Sequence, residues 1–290
     1  MTPLAAVGAG RHVTAAAFLR AGRRVTAILA AYPTLFRIAL AVMIQYRVSG
    51  LIWMIGSVLE PVIFLVVWSV AARSSGGSVG GMDPHDFAAY YMLVLVVNHL
   101  TFSWITEIFQ YRIQYGMLSF QLLRPLHPIH QDLADNLAYK LVNLVVIVPA
   151  LVVCWWLFEP RFPVAWSLPY AVLALPLGFA ARFLLDWSVA LVAFWTTRVM
   201  AVNRIYYAIL WFTSGRVAPI ALLPGVLRPL AHALPFYYAL AFPVELALGR
   251  LTPDEIWRGF VMQAVWVGLG AVIITTVWRA ALRRFTAVGT

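Results

Sequence analysis

The feature that most constrains this chain is a series of apolar stretches long enough to cross a lipid bilayer. Between residues 49 and 71 only Glu60 is charged, and comparable stretches recur along the chain. A helix needs roughly 20 apolar residues to cross the bilayer core. Hydrophobic residues make up 63% of the chain and charged residues 11%, whereas a soluble domain carries about 25% charged residues. The sequence therefore predicts an all-α, polytopic membrane protein and excludes a soluble enzyme.

The sequence predicts about six membrane-spanning helices. They cover residues 49–71, 87–109, 133–158, 166–196, 201–223 and 256–277. Asp86 is predicted to cap the second of them. Four prolines interrupt the apolar region 223–249, which predicts short re-entrant helices before the last span. Residues 48–290 thus form one transmembrane domain.

Residues 1–47 form a separate, basic segment. Every Lys, Arg, Asp or Glu in it is an arginine, and short apolar groups lie between them. Anionic lipid attracts a basic amphipathic helix to the membrane surface. We therefore expect a cytoplasmic tail that contains an N-terminal interfacial helix.

The distribution of basic residues predicts the orientation in the membrane. With six spans, both termini and the loops after spans two and four lie on one side, and most of the Lys and Arg residues fall there. Cytoplasmic loops carry an excess of Lys and Arg. We predict a multi-pass protein of the bacterial inner (plasma) membrane with both termini in the cytoplasm. The net charge of +10 then reflects topology, and no nucleic-acid partner is expected.

The chain contains none of the short motifs that mark common enzymes. It has no glycine-rich phosphate loop ending in Lys-Ser or Lys-Thr, no His-Glu-x-x-His and no nucleophile elbow. Its single cysteine, Cys154, and its scattered histidines do not predict a metal site. We expect a protein that is not an enzyme and binds no cofactor. Energy for transport would come from an ion gradient or from another polypeptide.

Polar and charged residues inside the predicted spans are the first candidate site. An ionisable group in lipid costs at least about 2.5–3.5 kcal/mol, so it is usually paired or faces a cavity. The candidates for intramembrane pairing or for lining a translocation route are Glu60, Asn98, Arg182, Asp186 and Arg216. Arg182 and Asp186 are four residues apart and predicted to pair along one helix, while Glu60 is expected to pair with Arg216 between helices. Asn98, His99 and Asn143 are expected to bond across helices.

The connection after span two is the second candidate site. It is too polar and too rich in proline to span, yet it offers several apolar side chains. The candidate docking residues are Met117, Leu118, Phe120, Leu122, Leu123 and Arg124. One interpretation is a short surface helix that docks another protein; the other is an interfacial loop whose apolar residues meet lipid.

An aromatic run before the last span is the third candidate site. It contains Phe236, Tyr237, Tyr238 and Phe242. Irregular backbone at membrane depth is tolerated where protein or a cavity surrounds it. The run is therefore either an outer gate or simple packing in the outer leaflet.

Two long segments resemble a known family. GMLSFQLLRPLHPIHQDLADNLAYK and SGRVAPIALLPGVLRPLAHALPFYYALAFPVELALGR are similar to permease subunits of type-2 ABC exporters, in the branch of uncharacterised or drug and viologen exporters. With the six-span layout, the resemblance covers most of the chain.

This resemblance implies a permease that pairs with itself or a sister permease and docks two separate ABC ATPase subunits, which bind ATP and Mg. Residues 111–130 would be the cytoplasmic coupling helix region. The exported substrate would be hydrophobic, amphipathic or cationic, and would pass outward from the inner leaflet of the membrane lipid. The alternative is a secondary transporter driven by a proton gradient, with Glu60 or Asp186 as the proton site.

Overall fold

The computed structural model describes residues 6–196 and 199–285, with side chains described from residue 26 onward except at Ser49. These residues form helices and loops, with only an isolated bridge between Val79 and Met82 in place of a β-sheet. The predicted all-α class is confirmed. In chain order the helices are α1 (Ala6–Gln45), α2 (Arg47–Ser74), α3 (Pro84–Thr101), α4 (Ile105–Gln114), α5 (Met117–Leu122), α6 (Pro128–Phe158), α7 (Leu168–Ala190), α8 (Val199–Thr213), α9 (Leu227–Ala233), α10 (Pro235–Ala239), α11 (Ala241–Ala247) and α12 (Pro253–Arg284).

Six helical stretches of the described chain are long and apolar enough to cross a membrane. They are Thr26–Gln45, Gly50–Ser74, Pro84–Gln114, Pro128–Phe158, Leu168–Phe194 and Pro253–Arg284. The protein is therefore a multi-pass membrane protein. The number of candidate spans equals the predicted six, but the set of segments is not the predicted one. Two places in the chain nevertheless differ from the predicted layout.

The first difference concerns the predicted fifth span, residues 201–223. Helix α8 has 15 residues and ends at Thr213, so at about 1.5 Å per residue it is roughly 22 Å long. Gly215 follows it with a φ of 89°. A Cβ atom there would lie 2.7 Å from the hydroxyl oxygen of Tyr90, so the chain turns away where only glycine fits. The predicted continuation to residue 223 is wrong.

The second difference lies in the N-terminal segment. Helix α1 continues through Pro33 without interruption, and its part Thr26–Gln45 is one of the six apolar stretches. Several of its apolar side chains are exposed on this chain, among them Leu29, Ile38 and Ile44. A helix with this surface fits a lipid environment. Its predicted position along the inner surface stays a prediction.

The chain divides into two compact units. One comprises the N-terminal part up to Arg47 together with Gln121–Val142, and the other comprises Val48–Phe120 and Asn143–Thr290. In the first unit the hydroxyl of Tyr32 lies 2.9 Å from Nδ1 of His130, and the two rings meet edge to face. This contact joins α1 to the beginning of α6.

Helix α7 is the centre of the second unit. It packs against α3, α4, α10, α11 and α12. Small residues allow the close approach, since a Cβ atom on Gly178 would lie 3.1 Å from the carbonyl oxygen of Ala239. Near the other end of α7, the fully buried Trp187 contacts Phe109 and Trp278.

Capping residues fix where two of the long helices begin. The N-cap of α3 is Asp83, whose side chain accepts from the backbone N–H groups of His85 and Asp86, and Asp86 accepts from the N–H of Asp83 in return. The sequence predicted Asp86 as the cap. Asp86 does belong to the capping box, at its N3 position, but the N-cap itself is Asp83. Thr252 and Glu255 form the same arrangement at the start of α12.

Candidate functional site

An ion pair between α2 and the end of α8 confirms one sequence prediction. Nη2 of Arg216 donates to Oε2 of Glu60 at 2.5 Å, and the side chains are 9% and 21% exposed. The guanidinium also lies over the ring of Trp211, 5.9 Å from its centroid. A buried guanidinium needs such partners, because an unpaired charge in a low-dielectric environment is costly.

Three aromatic side chains hold the irregular backbone that carries Arg216. The hydroxyl of Tyr90 donates to the carbonyl oxygen of Gly215 at 2.7 Å. The hydroxyl of Tyr91 and the indole N–H of Trp68 both donate to the carbonyl oxygen of Val217 at 2.8 Å. These bonds satisfy carbonyl groups that leave the helical pattern, and they fix the guanidinium opposite Glu60.

Arg182 and Asp186 are both buried in α7 and bond to other helices. Nη1 of Arg182 donates to Oδ1 of Asn98 at 3.1 Å, and its guanidinium lies 5.3 Å from the ring centroid of Phe102. Oδ1 of Asp186 accepts from the hydroxyl of Tyr206 at 2.6 Å. Both side chains thus bond to other helices, α3 and α8, and the predicted pairing of Arg182 with Asp186 along α7 stays a prediction.

The long stretch Pro84–Gln114 is interrupted at residues 102–104, between α3 and α4. None of these residues is proline or glycine, the usual causes of a sharp break. Next to the break, Thr106 Oγ1 lies 2.8 Å from the hydroxyl of Tyr207, and the amide of Asn203 donates to the carbonyl oxygen of Thr106 at 3.2 Å. Contacts with α8 therefore stabilise the break, and the local sequence does not account for it.

The amides and histidine predicted to bond across helices do so. Asn98 accepts from Arg182. Nδ2 of Asn143 in α6 lies 3.1 Å from Nδ1 of His99 in α3. Tyr206, Tyr207, Thr106 and Asn203 belong to the same buried polar region, and sequence reasoning missed them; polar residues recurring along an apolar helix were the available signal.

The predicted docking segment begins at a sharp turn after α4. Gly116 has a φ of 67°, a conformation that favours glycine. Beyond it, Phe120 is 71% exposed and Leu123 is 84% exposed, and Met117 and Arg124 are exposed as well, while Leu122 is half-buried. Leu118 is fully buried. Leu118 therefore anchors the segment and is not available for docking, which corrects its prediction.

Burial also affects a histidine just after this segment. It lowers the pKa of His127 to about 4, and the charge of His130 adds to the effect. His127 is consequently neutral at physiological pH. Its Nδ1 accepts from the backbone N–H of Ile129, which shapes the turn before α6.

The four aromatic residues of the predicted gate form one buried cluster. Phe236, Tyr237, Tyr238 and Phe242 are each at most 8% exposed. The hydroxyl of Tyr238 donates to the carbonyl oxygen of His232 at 2.8 Å. The cluster lies inside the chain's own core, so packing within this chain accounts for it, and its role as an outer gate stays a prediction.

A carboxyl group borders this cluster. The hydroxyl of Tyr237 donates to Oε2 of Glu245 at 2.6 Å. Burial raises the pKa of Glu245 to about 7, although the bond from Tyr237 and the charge of Arg250 act in the opposite direction. Glu245 therefore titrates near neutral pH, a property that the sequence did not indicate.

Gln263 is a second residue that sequence reasoning missed. Its side chain is fully buried in α12, and Nε2 donates to the carbonyl oxygens of Tyr238 at 2.8 Å and Ala174 at 3.0 Å. A single amide within an apolar helix was the available signal. Gln263 ties the aromatic cluster to α7 and α12.

Comparison with known protein families identifies the family of this chain. A family model described as ABC-2 family transporter protein matches residues 58–289, which is well over half of the chain. The chain belongs to this family. It is an ABC-2 type permease, and both the ion pair of Glu60 and the docking segment lie within the matched residues. No curated protein matches the chain.

Proposed function

We propose that this permease is the membrane subunit of an ATP-driven exporter whose ATPase is a separate polypeptide. The observation that carries the proposal is the family match over residues 58–289, together with the exposed apolar side chains of the docking segment. The ATPase subunits bind ATP and Mg²⁺ and hydrolyse ATP. The permease resides in the bacterial inner membrane with both termini in the cytoplasm, within the drug and viologen branch of the family.

The docking segment receives the ATPase. Phe120 and Leu123 are large apolar side chains exposed on the predicted cytoplasmic side, and such a pair suits insertion into a groove of a partner. Leu118 is fully buried and anchors the segment to the permease. Movement of the ATPase is then passed to the permease through a segment anchored at one face and docked at the other.

The break at residues 102–104 allows that movement to reach the membrane. Helix α4 lies between the break and the docking segment, and α3 continues beyond the break. The break separates α3 from α4, and contacts with α8 hold it, so a change in the angle between α3 and α4 proceeds through rearrangement of those contacts. Helices α2, α3 and α8 then shift against a second permease, either a copy of this chain or a sister subunit.

The ion pair of Glu60 and Arg216 supports a route for hydrophobic, amphipathic or cationic substrates. Oε1 of Glu60 is buried and has no hydrogen-bond partner among the described residues. Large apolar side chains of α2 and α8 nearby, such as Ile63 and Ile209, are exposed on this chain. A carboxylate at membrane depth suits a cation with an apolar body once movement of α2 and α8 exposes this oxygen.

A proton-driven transporter is not favoured by the geometry. Arg216 neutralises the charge of Glu60 without a proton, and Asp186 accepts a hydrogen bond from Tyr206. A proton carrier stops when an uncoupler collapses the gradient while ATP remains. The ATP-driven permease continues to transport under that condition and stops when ATP is depleted.

The test of ATPase docking is co-purification of a tagged permease from its native membrane in mild detergent. Burying a phenylalanine or leucine contributes about 1.5–3 kcal/mol, so Phe120→Asp and Leu123→Asp each weaken ATPase binding by about tenfold to a hundredfold. Phe120→Leu is the matched control, because it keeps an apolar side chain and retains the ATPase.

The co-purification has one outcome that supports the proposal and one that refutes it. Recovery of an ABC ATPase with the wild type and with Phe120→Leu, but not with the aspartate variants, supports the docking segment. If the intact permease is recovered without any ATPase, the exporter proposal fails. Size-exclusion chromatography of each variant confirms that it is inserted and folded.

A further inference from the structure

A cleft of about 450 Å³ lies in the larger unit, on the side opposite the docking segment in the predicted topology. It is bordered by the loop after α2, the start of α3, the loop between α6 and α7, and the end of α11. Cavities of roughly 300–1,000 Å³ accommodate small molecules. The side chains that matter for recognition are Met82, Asp86, Arg161, Leu222, Leu248 and Arg250.

The cleft lies at the depth of lipid headgroups. Asp86 is in the first turn of α3, Arg161 follows the end of α6 at Phe158, and Arg250 comes shortly before the start of α12. Three membrane-crossing helices thus begin or end at its border. Headgroups occupy the layer just outside the hydrocarbon core, where such helices end.

The acidic groups beside the cleft are already engaged. Oδ1 of Asp83 accepts from the N–H groups of His85 and Asp86, and Oδ2 accepts from Nη1 of Arg161 at 2.9 Å. Burial raises the pKa of Asp83, but these hydrogen bonds and the charge of Arg161 outweigh it, so its pKa is lowered. Asp86 accepts from the N–H of Asp83. Both carboxylates therefore serve the start of α3.

The guanidinium of Arg250 is the positive group left over. It donates to the sulfur of Met82 at 3.4 Å and lies 6.0 Å from the ring centroid of Tyr90. The carboxylate of Glu245, whose pKa burial raises and the charge of Arg250 lowers, accepts its hydrogen bond from Tyr237. Among the described residues, no carboxylate lies within ion-pair distance of Arg250, although a guanidinium carries five donors suited to a phosphate or carboxylate.

We propose that this cleft binds the phosphate group of a phospholipid, with the phosphate on Arg250 and further positive charge from Arg161, which keeps its ion pair with Asp83 through Nη1. The apolar wall formed by Met82, Leu222 and Leu248 contacts the part of the lipid that continues toward its acyl chains. A soluble anion would leave this wall without a partner. Basic pockets between membrane helices on the cytoplasmic side bind lipid headgroups through the same pairing of cation and phosphate.

The test is native mass spectrometry of the purified full chain with phosphatidylglycerol added to the detergent. At a low ratio of lipid to protein, the wild type binds one lipid molecule. Arg250→Gln weakens this binding by about fivefold, because one basic residue near a headgroup contributes about 1 kcal/mol. Arg258→Gln is the control: it removes the same charge from an exposed residue outside the cleft and leaves lipid binding unchanged.

Three results overturn the proposal. One is equal lipid binding by the wild type and by Arg250→Gln. Another is an equal loss in Arg258→Gln, which shows only general attraction to charge. The third is competition by inorganic phosphate at the affinity of the lipid, which shows a site for the free anion. Thermal unfolding of both variants confirms that they are folded, and the ATPase co-purification is a separate readout.

Discussion

The ion pair of Glu60 and Arg216 permits a double-mutant cycle with a predicted magnitude. Glu60→Gln leaves the guanidinium of Arg216, 9% exposed, without a charged partner. Breaking a buried pair from one side costs about 3–5 kcal/mol. Arg216→Gln leaves a carboxylate whose side chain is 21% exposed and costs less, since this group is less completely buried than the guanidinium. The double variant places two neutral amides together and loses less than the sum of the single changes.

The measurement is reversible unfolding in mixed micelles, with increasing sodium dodecyl sulfate, for the wild type and the three variants. We expect a coupling free energy of at least about 2 kcal/mol, because contacting residues couple by about 0.5–3 kcal/mol. Single effects that add within about 0.5 kcal/mol, as for distant residues, refute the ion pair as a stabilising contact.

Transport by the same variants decides between the two interpretations of these charges. If the pair only fixes packing, transport falls in proportion to the folded fraction and the double variant recovers it. If Glu60 lines the route, Glu60→Gln and the double variant both lose transport of a cationic substrate at temperatures where the protein is fully folded.

Three further predictions concern other parts of the permease. Gly259→Ala places a Cβ atom 2.0 Å from the ring of Phe242, so we expect a lower unfolding temperature, partly restored by adding Phe242→Leu; an unchanged unfolding temperature contradicts the packing. Because burial raises the pKa of Glu245 from 4.5 to about 7, the folded state holds a proton that the unfolded state releases, and stability falls as the pH rises from about 4.5 to about 7. In Glu245→Gln this part of the pH dependence of stability is absent. If stability varies with pH in this variant as it does in the wild type, the raised pKa of Glu245 is contradicted. A cysteine at Thr26, at the end of this stretch away from α2, reacts with a membrane-impermeant thiol reagent only from the cytoplasmic side if α1 lies along the inner surface. Labelling from outside shows that Thr26–Gln45 crosses the membrane; Cys154→Ser serves as the background.

Much of the fold followed from the sequence because helix formation in a membrane depends on local properties. A run of apolar residues such as 49–71 must form a helix to satisfy its backbone in lipid, and α2 confirms it. Repeated prolines before the last span predicted short helices, and α9, α10 and α11 occupy that region. The pair of Glu60 and Arg216 was predictable because each charge in lipid needs a partner.

Which residues are buried and where some helices end could be learned only from the tertiary structure. Hydropathy treated Leu118 and Phe120 alike, yet the first is fully buried and the second is 71% exposed, because only packing decides which side of a short helix faces the protein. The end of α8 was missed for a related reason. Residues 217–223 are again mostly apolar, so hydropathy extended the span past Thr213, whereas Gly215 makes a turn beside Tyr90 that only glycine fits.

The sequence by itself determined the all-α membrane class, most of the spanning helices and the need for charge pairing, since each follows from the cost of placing polar groups in lipid. The tertiary structure alone decided which groups meet. Arg182 bonds Asn98 in another helix, and Arg250 reaches the cleft beside Met82, 168 residues away along the chain. Such contacts depend on how α3, α7 and α11 pack together, and no local pattern in the sequence encodes that arrangement.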